Sequence, residues 1–192
     1  YIGDWSSDVC SSDLTKHFEL DSLGWNSSNY IHVLTEIERR AYADRAEHMG
    51  DMDFWKVPLS MIASETYAEE RAKTITMEKA TPSAMVFAGD PLPYESPETT
   101  HYSVMDANGN AVSVTTTINT GFGSGVVVEG AGFFLNNEMD DFSAKPGSPN
   151  YFGLVGKESN SIEPMKRPLS SMTPTILLKD EKPVIVVGSP GG

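Results

Sequence analysis

The chain has 192 residues, which is long enough for one domain with a hydrophobic core of its own. Hydrophobic residues make up 39% and charged residues 21% of it, a composition typical of a globular protein. The net charge of −13 argues against a nucleic-acid-binding protein, which needs clustered lysine and arginine. No stretch approaches the ~18 consecutive apolar residues of a membrane-spanning helix.

Residues 1–14 are predicted to be foreign to the protein. The run at 4–14 matches the translation of a short-read sequencing adapter, with a natural tail rich in serine and aspartate as the alternative. It contains Cys10, the only cysteine. The remaining sequence therefore predicts no thiol chemistry, disulfide or cysteine metal site.

A helix is predicted to begin at Ser28 or Asn29, which can cap it, and to run to about His48, with Gly50 as its stop. Apolar residues recur there at helical spacing: Tyr30, Val33, Leu34, Ile37 and Ala41. The opposite face is predicted to be solvated or salt-bridged surface, and it carries Glu36, Arg39, Arg40, Asp44 and Glu47.

The rest of the chain predicts a second helical stretch, a linker and then strands. The helical stretch covers roughly residues 59–73, perturbed near Ser64, and prolines mark residues 82–97 as an extended connector. Alternating apolar residues around Asn108 and Gly109 predict a β-hairpin, and residues 173–179 and 183–188 predict a second strand pair. This order predicts an α+β fold with a discontinuity at the linker.

A threonine pair, Thr99 and Thr100, stands where the linker meets the first strand. Thr99 would become a nucleophile if the chain were cut before it, because the new α-amino group has a pKa near ~8 and can accept the hydroxyl proton. The alternative is an ordinary β-branched start to a strand.

An acidic, amide-rich turn occupies residues 136–141. It lacks the ligand alternation and central glycine of an EF-hand loop. A glycosidase carboxylate pair, a binding site for a substrate ammonium group and a simple solvated turn all remain open.

Two further segments allow either chemistry or plain structure. Ser170 and Ser171 could donate to a carboxylate or cap a turn, and the glycine-rich end at 188–192 could form an oxyanion hole or a tight turn. His101 is predicted to pack or to hydrogen-bond within the strand. The four histidines show no metal-ligand spacing and no His–Asp pair, which argues against a zinc enzyme or a Ser-His-Asp hydrolase.

In their order, these motifs closely resemble γ-glutamyltransferases (γ-glutamyltranspeptidases). The resemblance covers roughly residues 16–192. It rests on residues 41–45, 94–96, 99–106, 109–112, Asn119, 135–142, 166–175 and 188–192.

The resemblance implies an N-terminal-nucleophile hydrolase with an αββα four-layer sandwich, here partial. One precursor would cut itself between Glu98 and Thr99, so that 15–98 ends the large subunit and 99–192 begins the small, catalytic subunit of a processed heterodimer. Thr99 would then attack glutathione or another γ-glutamyl compound, and the γ-glutamyl ester would pass to water or to an amino-acid or peptide acceptor. No cofactor or metal is implied.

The resemblance also assigns roles to single residues. Thr117 would orient the nucleophile, and the N–H groups of Gly191 and Gly192 would bind the oxyanion. Contacts to the substrate's α-ammonium group are implied for Asn119, Glu138 and Asp141, and contacts to its α-carboxylate for Ser170 and Ser171. Tyr151 and Phe152 lie in a lid loop at 145–156, where the family often has a gating tyrosine at the position of Phe152, so the balance between hydrolysis and transfer is open.

Further expectations concern the activity of this chain, its localisation and the competing interpretations. The family's carboxylate-clamping arginine would lie upstream of this sequence, and a terminal carboxylate on Gly192 would oppose a developing oxyanion, so the 192-residue chain itself is expected to be inactive. The resemblance implies an exported protein, periplasmic or secreted. A related acylase, a capsule-polymer transferase and a fragment without catalytic activity are the competing readings.

Overall fold

The computed structural model describes residues 13–86 and 99–190. After a helical turn at residues 13–15, the described residues form the helices α1 (Leu20–Leu23), α2 (Ser28–His48), α3 (Leu59–Ile62) and α4 (Glu65–Ala72). Four strands follow: β1 (Thr99–Met105), β2 (Ala111–Thr117), β3 (Thr175–Lys179) and β4 (Lys182–Val187). Short 3-10 helices lie at Ser83–Met85, Glu138–Asp141 and Glu158–Asn160. Of the connector predicted at 82–97, the structure describes only residues 82–86, which contain the 3-10 helix Ser83–Met85 rather than extended chain. Residues 87–98 and residues 1–12, with Cys10, fall outside the described residues.

Helix α2 has the predicted extent, but the residue that caps it is Ser27. The Ser27 Oγ accepts a hydrogen bond from the Tyr30 N–H at 3.1 Å, because Ser27 keeps extended backbone angles while Ser28 is already helical. The apolar stripe of α2 packs against α4 and the start of the chain, in a cluster of buried residues: Leu14, Val33, Ile37, Ala68 and Ala72. A second cluster joins α2 to the β-rich half through Ala41, Met49, Ile62 and Leu169.

The polar face of α2 is salt-bridged, which was one of the two predicted alternatives, but much of it is buried rather than solvated. Glu36, Arg40 and Asp44 are 1%, 2% and 6% exposed. The segment after α4 covers this face and supplies hydrogen-bond partners, since Arg40 donates to Thr74 and Glu36 accepts from Thr81 at 2.6 Å. Periodicity could not reveal this, because the covering segment is folded back from more than thirty positions along the chain.

The break between α3 and α4 falls where Ser64 predicts it. Ser64 has extended backbone angles, and its Oγ accepts from the Tyr67 N–H at 3.2 Å to cap α4. The two predicted hairpins are also present. In the second, Asp180 and Glu181 form the turn with positive φ angles of 51° and 62°, the left-handed pair typical of a tight antiparallel hairpin.

The two hairpins lie side by side, so that the ends of β1, β2 and β4 come together. Ser113 in β2 donates from its Oγ to the Val187 carbonyl at 3.1 Å. The imidazole of His101 lies against Gly188, so close that a Cβ at position 188 would overlap the ring. His101 also bonds to Thr115 Oγ1 at 2.8 Å and Ser103 Oγ at 2.9 Å, the hydrogen-bonding role predicted for it.

Candidate active site

Thr99 stands at the junction of three strand ends. It is the register partner of Thr117 across the β1–β2 ladder. The Thr99 N–H donates to the Pro190 carbonyl at 2.8 Å, which ties the start of β1 to the segment that follows β4. Gly191 and Gly192, the predicted oxyanion donors, come next in the sequence but lie outside the described residues.

Thr117 is the last residue of β2, and the loop that follows it carries Asn119 towards the acidic turn. The Thr117 Oγ1 accepts from the Asn119 N–H at 2.9 Å, and Asn119 has a positive φ of 81°, a conformation that asparagine tolerates better than most residues. Asn119 is 6% exposed, and its Nδ2 donates to the Asn137 carbonyl at 3.3 Å. Asn119 is thereby fixed beside Glu138.

The acidic turn contains the 3-10 helix Glu138–Asp141, whose carboxylate side chains are partly buried. Burial raises the pKa of Glu138. Burial and the charges of Glu138 and Asp140 raise the pKa of Asp141 to about 6, although the Arg45 guanidinium opposes that rise. A carboxylate with a raised pKa is one whose ionised form lacks stabilisation, and a nearby cation supplies it. A further cation next to Asp141 would stabilise its ionised form and lower its pKa.

The serine pair sits across from this turn, next to α2. Arg45 donates from Nη2 to the Ser170 carbonyl at 2.8 Å, and the Ser170 Oγ accepts from the Met172 N–H at 3.1 Å. Ser170 thus caps a turn, as one reading of the sequence has it, and its hydroxyl proton is still available to a carboxylate. Ser171 is exposed and lines the cavity described below with Asp141.

A bidentate ion pair fixes the segment that leads into the serines. Asp51 is 1% exposed and accepts from the Arg167 N–H at 2.8 Å, from its Nε at 2.9 Å and from its Nη2 at 2.6 Å. These bonds hold the pKa of Asp51 well below its usual range. The pair joins the end of α2 to residues 166–171, which belong to the other predicted subunit.

The predicted lid loop folds against the acidic turn. Asn150 organises it, since its Oδ1 accepts from the N–H groups of Phe152 and Leu154, at 3.0 and 2.9 Å, while its Nδ2 donates to the Asp140 carbonyl at 3.2 Å. Phe152 is 8% exposed, whereas Tyr151 is 74% exposed and meets the Phe152 ring edge-on. The Tyr151 side chain is thus largely in solvent, and the Phe152 side chain is packed against the protein.

A cavity of about 160 Å³ lies between α2, the acidic turn and the lid loop. Arg45, Asp141, Ser143, Asn160 and Ser171 are among its lining residues. The structure therefore gathers the predicted catalytic and substrate-binding residues that it describes into two groups. Thr99, Thr117 and Asn119 form the first, and Glu138, Asp141, Ser170 and Ser171 form the second, with Asn137 as the link between them.

Sequence reasoning gave no role to Arg45 or Asn160. Arg45 lies within the family-like run at 41–45, yet nothing local indicates that it reaches a carbonyl 125 residues away. Asn160 lies in a stretch without a recognised motif, and its contacts appear only when the chain is folded.

The chain is similar to known proteins over nearly its whole length. The family model described as gamma-glutamyltranspeptidase matches residues 12–192. The glutathione hydrolase proenzyme of Escherichia coli K12 is 51% identical over 180 residues, 94% of this chain and 31% of that protein. The corresponding proenzyme of Pseudomonas aeruginosa is 54% identical over 167 residues, 87% of this chain and 29% of that protein.

More distant relatives share the same region. The acylase ACY 1 proenzyme of Pseudomonas sp. strain SE83 is 37% identical over 179 residues, covering 93% of this chain and 30% of that protein. The crystal structure of a cephalosporin acylase from Bacillus halodurans superimposes with a TM-score of 0.70 at 22% identity, over 94% of this chain and 30% of that one. At that identity the match speaks for the fold alone.

The fold is thus of the α+β class predicted from the sequence, and it matches the fold of the cephalosporin acylase. Within that class, the chain belongs to the γ-glutamyltranspeptidase family. It spans about a third of the length of the curated relatives it matches. No helix among the described residues is both long and apolar enough to cross a membrane.

Proposed function

We propose that the full-length protein carrying this sequence transfers γ-glutamyl groups from glutathione and related compounds to water or to an acceptor amine. The observation that carries the proposal is the position of Thr99, opposite Thr117 in the ladder and bonded to the segment at the end of β4. The family membership and the names of the glutathione hydrolase relatives support the substrate class.

Self-cleavage would come first. The Thr99 Oγ attacks the carbonyl carbon of Glu98. The C–N bond between Glu98 and Thr99 breaks, and the Thr99 nitrogen takes up the hydroxyl proton, so that the peptide bond becomes an ester. Water then hydrolyses the ester and leaves a carboxylate on Glu98 and a free amine on Thr99. That amine can keep donating one N–H to the Pro190 carbonyl while its lone pair faces the Thr99 hydroxyl. The amine is then the base that the hydroxyl needs to become a nucleophile.

The transfer reaction would use the same atoms. The amine takes the Thr99 hydroxyl proton, Oγ attacks the γ-carbonyl of the substrate, and the leaving amine receives the proton. The resulting γ-glutamyl ester is released by water or by an acceptor amine. Thr117 would orient the nucleophile, and Gly191 and Gly192 would hold the oxyanion.

The second group of site residues, together with Asn119, would bind the α-ammonium and α-carboxylate groups of the glutamyl head. Asn119, Glu138 and Asp141 supply acceptors for the α-ammonium group, and the raised pKa of Asp141 marks a carboxylate that gains from a cation. Ser170 and Ser171 would donate to the α-carboxylate. We further propose that the two subunits stay together as a heterodimer after cleavage and that the protein is exported.

An acylase is the second candidate, because the acylase relatives cover the same region. One experiment separates the two. The purified full-length protein is mixed with a γ-glutamyl anilide, quenched in acid and digested, and peptide masses are compared with those of a Thr99→Ala variant. We expect anilide turnover and a γ-glutamyl adduct on the peptide that begins at Thr99. Hydrolysis of a cephalosporin amide with no reaction of the γ-glutamyl anilide would overturn the proposal in favour of the acylase.

A further inference from the structure

Asn160 bonds to both segments that the proposed function assigns to the glutamyl head. Its Nδ2 donates to the Asp141 carbonyl at 2.7 Å, and its Oδ1 accepts from the Leu169 N–H at 3.1 Å. Its own carbonyl accepts from the Ser143 N–H at 2.8 Å. One residue therefore fixes the backbone just after the acidic turn and the backbone just before the serine pair.

The chemistry of these contacts suits asparagine. A carboxamide has a donor and an acceptor on one short, planar group, whereas a carboxylate accepts only. Asn160 is 5% exposed, so a lost partner would not be replaced freely by water. The 3-10 helix Glu158–Asn160 sets the position of the amide between the two segments.

The separation of these segments matters because the groups they would bind are attached to one carbon atom. The α-ammonium and α-carboxylate groups of a glutamyl head lie at a fixed spacing. A site that recognises both must hold its carboxylates and its hydroxyls at a matching spacing, and looser segments weaken both contacts at once.

We propose that Asn160 is a positioning residue that sets the spacing between Asp141 and Ser170–Ser171, and with it the selectivity for a zwitterionic γ-glutamyl head. This inference rests on the proposed function. Arg45, which bonds to the Ser170 carbonyl, supports the same segment from α2. Asn160 contacts no reacting atom and acts through the two segments it joins.

The test uses Asn160→Ala and Asn160→Asp in the full-length protein, with Ser159→Ala as the matched control. Ser159 lies in the same turn, is fully buried, and its Oγ has no hydrogen-bond partner among the described residues. Asn160→Asp keeps the acceptor for Leu169 and loses the donor to Asp141, with little change in volume. Melting temperature and subunit processing are measured for all three variants, and the aspartate variant decides if the alanine variant does not fold.

Kinetics are measured with a γ-glutamyl anilide and with the glutaryl anilide that lacks the α-amino group. For both Asn160 variants we expect KM for the γ-glutamyl anilide to rise about 10–100-fold, as for other residues that orient a binding group, with kcat changed less than about threefold. The preference for γ-glutamyl over glutaryl substrate should shrink by a similar factor. Ser159→Ala should leave KM and the preference within about twofold of wild type.

Two results would overturn this inference while the proposed function stands. In the first, the wild-type enzyme turns over the γ-glutamyl anilide, and the Asn160 variants have the same KM and the same substrate preference as the wild type. The other is an equal loss of kcat/KM on both substrates, which is the signature of general destabilisation. A wild-type protein without γ-glutamyl turnover, measured in the same plate, refutes the proposed function and this inference together.

Discussion

Replacing Asp141 by asparagine removes the charge that would hold the substrate ammonium group, while it keeps the size of the side chain. A hydrogen bond to a charged group contributes about 1.5–3 kcal/mol. At 1.36 kcal/mol for each tenfold change, we expect kcat/KM for a γ-glutamyl anilide at pH 7.5 to fall about 10–150-fold, mainly through KM.

The pH dependence makes this prediction sharper. Because the pKa of Asp141 is about 6, the carboxylate is almost fully ionised at pH 7.5 and about one-tenth ionised at pH 5. The wild-type advantage over Asp141→Asn should therefore shrink by about tenfold between these pH values. The Thr99 amine titrates in both proteins, so its effect cancels when the ratio of the two is taken.

As the pH rises, folding stability should fall while the affinity for the γ-glutamyl substrate rises. The pKa of Asp141 is raised from its ordinary 3.8 to about 6, so between these values the folded protein binds more protons than the unfolded chain. Folding stability thus falls as pH rises through that window, and the ionised carboxylate is a cost to the unliganded fold at pH 7.5. Asp141→Asn should accordingly not lower the melting temperature at pH 7.5.

Asp140→Asn is the matched control for this experiment. Asp140 lies in the same turn but accepts from the Tyr151 N–H of the lid loop at 2.8 Å. We expect the KM of this variant to change less than about threefold. Its pH profile should keep the fall towards pH 5 but move to lower pH, because the Asp140 charge contributes to the raised pKa of Asp141. The reasoning is refuted if Asp141→Asn leaves KM unaltered, or if the ratio of wild type to variant is flat from pH 7.5 to pH 5.

Three further predictions concern the frame around the site. Glu36→Ala leaves the Arg40 guanidinium buried without its carboxylate, and urea unfolding should show a loss of about 3–5 kcal/mol. The ion pair with Arg167 lowers the pKa of Asp51, so it stabilises the fold fully above the ordinary pKa of 3.8 and less as the pH falls below that value. Asp51→Asn should therefore lower the melting temperature at pH 7 and make the melting temperature less dependent on pH in acid. Gly188→Ala pushes on the His101 ring, and a time course of subunit masses should show slower self-cleavage. Unchanged values would contradict each.

The helices and turns of the fold could be predicted from the sequence wherever neighbouring residues determine them. Ser64 divides two short helices because its side chain caps the second, and residues 106–110 close the first hairpin because glycine and asparagine suit its turn. The burial of the charged side chains of α2 could not be predicted. Glu36 and Arg40 have the spacing of an exposed face, and only the folding of Thr74 and Thr81 back onto them removes that face from water.

The candidate site divides in the same way. Thr99 and Asp141 stand in motifs whose order resembles one family, so their importance could be predicted from the sequence. Arg45 and Asn160 act through side-chain bonds to backbone carbonyls, and such bonds carry no local pattern. The position of the Tyr151 ring depends on how the lid loop folds, which the sequence alone left open.

Cleavage before Thr99 tests the central claim most directly. The full-length protein and its Thr99→Ala variant are purified in parallel, and their intact masses and N-terminal sequences are determined. We predict two chains for the wild type, the smaller beginning at Thr99, and one uncut chain for the variant. A wild type that remains a single chain while hydrolysing γ-glutamyl anilides, or a variant still cut at the same bond, would contradict the account.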